Sequence, residues 1–171
     1  MKTKDSILSR RSIRKFEDRS ISPNLLEELI SLARLSASAG NHQVIRYARF
    51  SKKENCDTVF SALNWAMYLP DFTIKESERP QGYIILFRKE EKSPFFEFDA
   101  GCAATSIMLA AEEMGLSSCC LKIARPEILS VAFPSVGYKA AYAIALGYPA
   151  LQSTAVSQKG SHRYYTDQTG N

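Results

Sequence analysis

The sequence predicts an α+β fold. Helical and strand patterns are mixed along the chain, without the regular βαβ alternation of a doubly wound sheet. The hydrophobic fraction of 45% and the charged fraction of 23% are those of a globular protein. At ~100–200 residues per domain, a length of 171 residues predicts a single domain that spans 1–171.

The first third of the chain predicts two helices, a loop and a strand. Asp5 or Ser6 is placed to cap a short first helix. Ser22 and Pro23 suit the start of the second helix. Apolar residues follow there at helical spacing: Leu25, Leu26, Leu29, Ile30 and Ala33. Small and turn-forming residues at 36–43 indicate a loop, and a strand is expected from Ile45 to Phe50.

The middle of the chain holds a helix after Ser51, a long connecting segment and a strand. Asn64–Gln81 is partly aromatic and contains two prolines, which indicates a covering loop or lid rather than a linker. Gly82–Phe87 reads as a strand. The segment therefore lies between two regular elements that can hold its ends.

A helix is expected from Phe98 to Gly115, where no charge occurs between Asp99 and Glu112. Such a helix is apolar on all sides and is expected to be buried at the centre of the fold. Its ~12 uncharged residues fall short of the ~20 that span a bilayer. The remaining elements are an extended stretch LSSCCLKI, a short helix PEILSVAF and an apolar strand within AAYAIALGYP.

Charge and cysteine content narrow the classes of function. The net charge is only +4, and outside SRRSIRKF the cations are interspersed with carboxylates, which weakens a general case for polyanion binding. The start of the chain lacks the apolar run of a secretory signal, so a cytoplasmic location is expected. The four cysteines lack the spacing of a zinc site, so reduced thiols and no metal are expected.

Two stretches carry candidate binding residues. If the chain bends out of the first helix near Ser12, then Arg10, Ser12 and Arg14 can converge on a phosphate, for which Arg offers forked donors. Asn41 and Gln43 stand in a Gly-containing loop, where amides can recognise the polar edge of a planar ring. Solvated surface charges and ordinary turn residues are the respective alternatives.

Four stretches in order resemble the nitroreductase family of FMN-dependent oxidoreductases. They are RRSIRKF, SASAGNHQ, DAGCAATSIMLAAEEMGLSS and AIALGYP, and the resemblance covers about residues 6–149. It implies a nitroreductase-like fold with a mostly antiparallel sheet between helices. It also implies an interlocked homodimer, with FMN at each of two interface sites and NADH or NADPH as electron donor. No membrane or nucleic-acid partner is expected.

The resemblance also assigns roles to residues. It places Arg10, Ser12 and Arg14 on the FMN phosphate and ribityl chain, with Arg11 as a lesser candidate. The other cofactor candidates that it implies are Asn41, Gln43, Cys119, Cys120, Leu121 and the late basic residues Lys159 and Arg163. Asn64, Trp65 and Tyr68 are candidates for the substrate face, although Trp65 and Tyr68 also suit a core or an interface. No catalytic side chain is assigned, because the flavin carries the electrons.

Two departures from the family pattern are visible. The family's loop usually has Pro after the Gln and then an aromatic residue, whereas this chain reads Gln43-Val44-Ile45. Similar proteins often continue into a basic segment beyond YYxDxxG, whereas this sequence ends at Asn171.

Three hypotheses for function remain at this point. The favoured one is electron transfer from NAD(P)H to a nitro compound, a quinone or another electron-poor small molecule by a ping-pong mechanism. The second keeps FMN but changes the chemistry to dehalogenation, dehydrogenation or flavin cleavage. The third is a non-enzymatic nucleic-acid contact through the basic segment Arg10–Lys15, for which a wider basic surface would be expected.

Overall fold

The computed structural model of the protein describes residues 3–65, 71–89, 93–134 and 137–150. These residues form an α+β fold with five α-helices and a four-stranded sheet, which confirms the predicted class. The elements in chain order are α1 (Thr3–Ser9), α2 (Pro23–Ala33), β1 (Arg46–Phe50), α3 (Lys53–Ser61), β2 (Gly82–Lys89), α4 (Phe96–Glu113), β3 (Ser117–Lys122), α5 (Pro126–Ala132) and β4 (Tyr138–Gly147). Short 3-10 turns lie at Ala39–Asn41 and Glu76–Glu78.

The sheet has the strand order β1-β2-β4-β3, and each neighbouring pair is antiparallel. The strands β1 and β3 are therefore its two edges. Helices cover both faces, which explains why β2 is an unbroken apolar run rather than an alternating one. Ile84 and Ile144 point towards α2 and α4, whereas Ile85 and Ala143 belong to the core on the side of α3 and α5.

The second helix agrees with its sequence pattern. Ser22 precedes it, Pro23 is its first residue, and Leu26, Leu29 and Ala33 are buried. The first helix differs, because it already includes Thr3 and so contains Asp5 and Ser6. The prediction that either residue caps it is wrong.

The central helix α4 is buried on one side in the single chain rather than all round. Phe96, Ala100, Ala103 and Ile107 are among its buried residues, at helical spacing. On other sides of the helix Phe98, Gly101 and Thr105 are exposed. The prediction of burial on all sides is wrong for one chain, because the sheet, α1 and α2 contact only part of the helix surface. The helix ends before Gly115, whose φ of +76° suits glycine.

The structure describes residues 64–65 and 71–81 of the predicted lid, and ion pairs connect the end of this segment to the rest of the chain. Glu78 pairs with Lys15 at 3.1 Å, Arg79 pairs with Asp57 at 2.8 Å, and Glu76 pairs with Lys53 at 2.8 Å. Tyr68 lies outside the described residues, and whether the segment moves stays a prediction.

Membrane insertion through a helix finds no support in the described ranges. Among them, no helix combines the length and the apolar character needed to cross a bilayer.

Candidate functional site

The first basic motif lies along the outer edge of β3. Ser12 forms an isolated parallel bridge with Ser118, and the backbone N–H of Ile13 donates to the Ser118 carbonyl at 3.0 Å. Ile13 and Phe16 are buried in the core on the α3 side. These apolar anchors hold the segment extended and leave the residues between them half-buried at the surface.

The three arginines of this motif have different surroundings. The Arg11 guanidinium donates to the carbonyls of Leu8 and Arg10, at 2.8 and 2.9 Å, and so covers the C-terminal end of α1. The Arg14 guanidinium donates to the Ser12 carbonyl at 3.0 Å, which holds it beside the edge of β3. The Arg10 backbone N–H continues the helix by donating to the Ser6 carbonyl at 3.0 Å.

The charges of two of these arginines act on the same point of β3. Burial raises the pKa of the Cys119 thiol, and the positive charges of Arg14 and Arg10 act in the opposite direction. Both guanidiniums therefore lie close enough to Cys119 to influence the pKa of its thiol. The structure thus brings Arg10, Ser12 and Arg14 to the same stretch as Cys119 and its neighbours.

A second segment approaches the same edge further along. Leu63 bridges Ile123, and the Ala124 N–H donates to the Ala62 carbonyl at 3.1 Å. Ile123 is five positions after Ser118, which is about 16 Å of strand at ~3.3 Å per residue. We call this stretch, the outer edge of β3 from Cys119 to Lys122, the β3 notch.

The backbone polar groups of Cys120 face into the β3 notch. In an antiparallel ladder alternate residues direct both backbone polar groups to the same neighbour. Ile123 donates its N–H to Ala141 of β4, whereas Ser118 accepts from Ile13 on the outer side. Counting in steps of two, Cys120 shares the outward orientation of Ser118. Its N–H and C=O are therefore directed away from β4 and into the notch.

The substrate candidates that the structure describes adjoin the far end of the notch. Asn64 follows the Leu63 bridge and is exposed. Trp65 stacks on Phe60 with ring centroids 5.3 Å apart and packs against the core. Its indole Nε1 is buried and has no hydrogen-bond partner in the described part of the chain. Trp65 thus has the position of a core aromatic, whereas Asn64 is exposed next to the notch.

The loop with Asn41 and Gln43 is built on the carboxylate of Asp99. Asp99 is buried, accepts from the Ser38 hydroxyl at 2.6 Å and accepts from the Ala39 N–H at 3.0 Å. The Ser38 oxygen in turn accepts from the Gln43 N–H at 2.8 Å. One carboxylate thereby fixes both ends of a six-residue turn.

The two amides of this loop have unusual backbone conformations. Asn41 and Gln43 have φ of +55° and +48°, in the left-handed region that residues other than glycine seldom adopt. Such a conformation costs of order 1–3 kcal/mol and persists only where neighbouring groups impose it. The Gln43 amide donates to the Asn41 side-chain oxygen at 3.1 Å, which orients both side chains together.

In one chain the structure does not bring Asn41 and Gln43 to the β3 notch. Their loop leads into β1, and β1 and β3 are opposite edges of the sheet. Three strand spacings of ~4.8 Å separate those edges, about 14 Å in all. Within one chain, a ligand in the notch could reach the loop only by crossing the sheet, whose two faces are covered by helices.

Sequence reasoning missed Asp99 and Ser38 as parts of the site. In the sequence, Asp99 is conspicuous only as the residue at which the charge-free stretch begins. The available signal was its place at helical spacing with Phe96 and Ala103, because a carboxylate on the buried face of a helix needs a hydrogen-bonding partner. Lys159 and Arg163 lie outside the described residues and stay predictions.

The donors at the notch fit a phosphorylated, planar cofactor. Two guanidiniums and the Ser12 hydroxyl suit a phosphate at one end. The outward N–H of Cys120 and the amide of Asn64 suit the polar edge of a ring further along. Beneath them the Ser118 hydroxyl is buried, with no hydrogen-bond partner among the described residues. The residues present can hold such a group.

Comparison with known proteins supports the resemblance found in the sequence. The nitroreductase family model matches residues 7–148. A relative from Archaeoglobus fulgidus, provisionally named an NADH dehydrogenase/NAD(P)H nitroreductase, is 28% identical over 153 residues, which cover 84% of this chain and 83% of the relative.

Solved structures share the fold. A provisionally named NADH dehydrogenase/NAD(P)H nitroreductase from Bacteroides thetaiotaomicron superposes with a TM-score of 0.78 at 19% identity, covering 97% of each chain. A nitroreductase with bound FMN from Bacteroides fragilis gives a TM-score of 0.74 at 17% identity, covering 97% of this chain and 98% of that one. With the family match over most of its length, this chain belongs to the nitroreductase family.

Proposed function

We propose that this protein binds FMN and transfers electrons from NADH or NADPH to an electron-poor small molecule, such as a nitro compound or a quinone. The observation that carries the proposal is the β3 notch, which has paired arginines at one end and an outward backbone N–H midway. The FMN bound by the Bacteroides fragilis relative and the NAD(P)H in the name of the Archaeoglobus relative support the choice of cofactor and donor.

We assign the phosphate end of the cofactor to Arg10, Ser12 and Arg14. Ser12 bridges Ser118 at the start of β3, and the charges of Arg10 and Arg14 both act on Cys119 next to it. Charge-assisted hydrogen bonds to a phosphate are worth about 1.5–3 kcal/mol each. Arg11 is assigned a structural role, because its guanidinium already donates to the helix carbonyls. Since Lys15 likewise pairs with Glu78, the segment offers less cationic surface to a nucleic acid than its sequence indicates.

The ring end is assigned to the middle of β3. The Cys120 N–H can donate to a ring nitrogen, and the Asn64 amide can donate to or accept from a ring carbonyl beyond it. Cys119 and Leu121 point to the core side, where they support the strand from below. When bound, FMN supplies the hydride acceptor and the electron donor of the reaction. The side chains of the notch then bind and orient rather than exchange protons.

A homodimer would complete each site. Exposed apolar residues concentrate on α1, on the end of α2 and in the first turn of α4: Ile7, Leu8, Leu32, Leu35 and Phe98. Because α1 and α2 both pack against α4, these residues can contribute to one interface. We propose that this surface pairs with a second copy, and that the second copy brings its Asn41–Gln43 loop to the notch.

The donor and the acceptor are proposed to use the same ring face in turn. This order predicts ping-pong kinetics, with parallel double-reciprocal lines when the initial rate is measured against NAD(P)H at several acceptor concentrations. Intersecting lines would require both substrates to be bound together and would contradict the shared face.

FMN titration of three arginine variants tests the proposal. Arg10→Ala and Arg14→Ala should each weaken FMN binding by about one to two decades, which is the loss of one charge-assisted interaction. The control is Arg49→Ala on β1, where the side chain pairs with Glu27 at the opposite sheet edge. Flavin fluorescence gives the dissociation constant, and circular dichroism verifies the fold.

The proposal predicts two further results. The wild-type protein should turn yellow with FMN, and NADH or NADPH should bleach it under anaerobic conditions. If FMN changes neither fluorescence nor thermal stability, the proposed cofactor is wrong. If FMN binds but neither nicotinamide bleaches it, the cofactor stands and the electron donor is wrong.

A further inference from the structure

A cationic groove lies next to the Asn41–Gln43 loop, at the end of the sheet where β1 and β4 begin and β2 ends. Its volume is about 390 Å³. Its lining includes Arg46, Arg88, Lys89, His42, Gln43 and Phe95. Among the described residues that line it, three are cations and none is a carboxylate.

The three cations of the groove differ from the paired cations Arg49 of β1 and Lys53 of α3. Arg49 pairs with Glu27, and Lys53 pairs with Asp57 and Glu76. Within the described ranges, Arg46, Arg88 and Lys89 form no ion pair. Three such charges around one concave surface repel each other and favour an anionic ligand.

Arg46 is held in place before any ligand arrives. Its guanidinium donates to the carbonyls of Gln43 and Ile45, both at 3.2 Å, and lies 5.8 Å from the centre of the Tyr138 ring. A guanidinium has five donors in a fixed fork, so donors remain for a phosphate. Because its position is fixed, less side-chain entropy is lost on binding.

The groove also offers aromatic rings. His42 and Phe95 lie nearly parallel, with an interplanar angle of 13° and ring centroids 6.2 Å apart. Phe95 is 45% exposed although it is large and apolar. Exposed aromatic faces stack on nucleic-acid bases of any kind, because each base has a π face. The groove therefore combines sites for phosphate with a site for a base.

We propose that this groove binds the adenosine phosphate end of the nicotinamide donor and favours NADPH over NADH. The inference rests on the proposed function, because Gln43 belongs both to the groove and to the loop assigned to the flavin ring. The 2′-phosphate that distinguishes NADPH adds a charge of about −1.5 to −2, which the three cations can neutralise. The base lies against Phe95 and His42, the phosphates common to NADH and NADPH lie against Arg46, and the 2′-phosphate lies against Arg88 and Lys89.

Titration with adenosine 2′,5′-diphosphate and with ADP tests the groove without any redox reaction. The first probe carries the phosphate specific to NADPH, and the second carries the end common to NADH. We expect the wild-type protein to bind the first about tenfold or more tightly than the second. Glu90 and Glu91 follow Lys89 and lie outside the described residues. Because binding of a phosphate depends on all charges around the groove, the titration includes any effect of these two carboxylates.

Variants separate the two parts of the groove. Arg88→Ala and Lys89→Ala should each weaken binding of the 2′,5′-diphosphate by about tenfold and change ADP binding less. Phe95→Ala should weaken both probes by the same factor, because both contain adenine. Arg49→Ala, which removes a paired charge from β1, is the matched control and should change neither.

Steady-state rates give the second readout. In Arg88→Ala and Lys89→Ala the KM for NADPH should rise while kcat and the KM for NADH change little. Equal binding of both probes, or unchanged binding in both charge variants, would overturn the inference. If the inference about the groove is overturned but NADH still reduces the bound flavin, the proposed function remains supported. Failure of FMN to bind would instead refute the proposed function, and the probe titration would still decide about the groove.

Discussion

Replacing Asp99 tests whether one buried carboxylate holds the Asn41–Gln43 loop in its binding conformation. Asp99→Ala removes the acceptors of the Ser38 hydroxyl and the Ala39 N–H, at 2.6 and 3.0 Å. Each is a hydrogen bond to a charged group, worth about 1.5–3 kcal/mol. The lower value of this range applies here, because water can reach the half-buried donors of Ser38 and Ala39. Loss of the two hydrogen bonds should therefore cost about 3 kcal/mol in total.

This loss should be visible in both stability and affinity. For a protein of 150–250 residues, about 3 kcal/mol corresponds to a decrease of Tm by about 6–12 °C. Without the network, Asn41 and Gln43 should leave their left-handed conformations, because nothing then offsets the cost of holding them there. FMN affinity should therefore fall even at temperatures where the variant is fully folded.

Differential scanning calorimetry and FMN titration at 15 °C measure the two effects. Glu97→Gln is the control, since Glu97 lies two residues earlier on α4, is exposed and accepts from the Tyr142 hydroxyl. It should lower Tm by less than about 4 °C, as expected for a loss below 1 kcal/mol at the surface. If Asp99→Ala changes Tm no more than this control, the network does not hold the loop. If Tm falls but FMN affinity is unchanged, the loop is not part of the flavin site.

Two further predictions concern packing and pH. A Cβ at Gly147 would lie 2.6 Å from Cδ1 of Phe16. Gly147→Ala should therefore lower the free energy of unfolding, measured with urea, by about 1–3 kcal/mol. An unchanged urea midpoint would show that Phe16 can move aside. The hydrogen bond from Lys53 holds the pKa of Asp57 below its usual value of 3.8, so this carboxylate stabilises the fold above about pH 4, and the effect is lost as the pH falls through the folded-state pKa. Asp57→Asn should accordingly lower the free energy of unfolding at pH 7 by less than about 1 kcal/mol. This loss should decrease as the pH falls through the folded-state pKa, whereas an equal loss at every pH would exclude a charge effect.

Local sequence patterns predicted most of the secondary structure. The second helix could be read from Pro23 and from apolar residues at helical spacing, and β2 from an uninterrupted apolar run. Such patterns depend on contacts within a few residues or on simple burial. The same limit explains why burial of α4 on all sides was predicted. An apolar composition indicates that a helix is covered by apolar residues, but it does not show whether those residues belong to the same chain.

The arrangement of the site depends on contacts distant in sequence. Ser12 meets Ser118 across the edge of β3, and Ser38 meets Asp99 across 61 positions. The sequence spacing of Arg10, Ser12 and Arg14 predicted a cluster, but not which strand it would flank. Nor could it separate Arg11 from the other two, because that distinction depends on which way the helix end directs its carbonyls.

Subunit mixing can show whether each flavin site is shared between two chains. If one chain supplies Arg14 and the other supplies Gln43, then each symmetric dimer has two such sites. Arg14→Ala and Gln43→Ala homodimers would each be impaired at both sites. A mixed dimer would have both changes at one site and neither at the other, so random reassociation of equal amounts should restore about a quarter of the wild-type high-affinity FMN sites.

The opposite arrangement gives a different result. If both residues belong to the same chain's site, each site of a mixed dimer carries one substitution and no high-affinity site returns. FMN titration after unfolding and refolding the two variants together distinguishes the arrangements, with each variant refolded alone as the control. The separation of about 14 Å between the two sheet edges favours the shared site. Restoration would therefore place the β3 notch and the Asn41–Gln43 loop on different subunits, whereas its absence would require the loop to reach the notch within one chain.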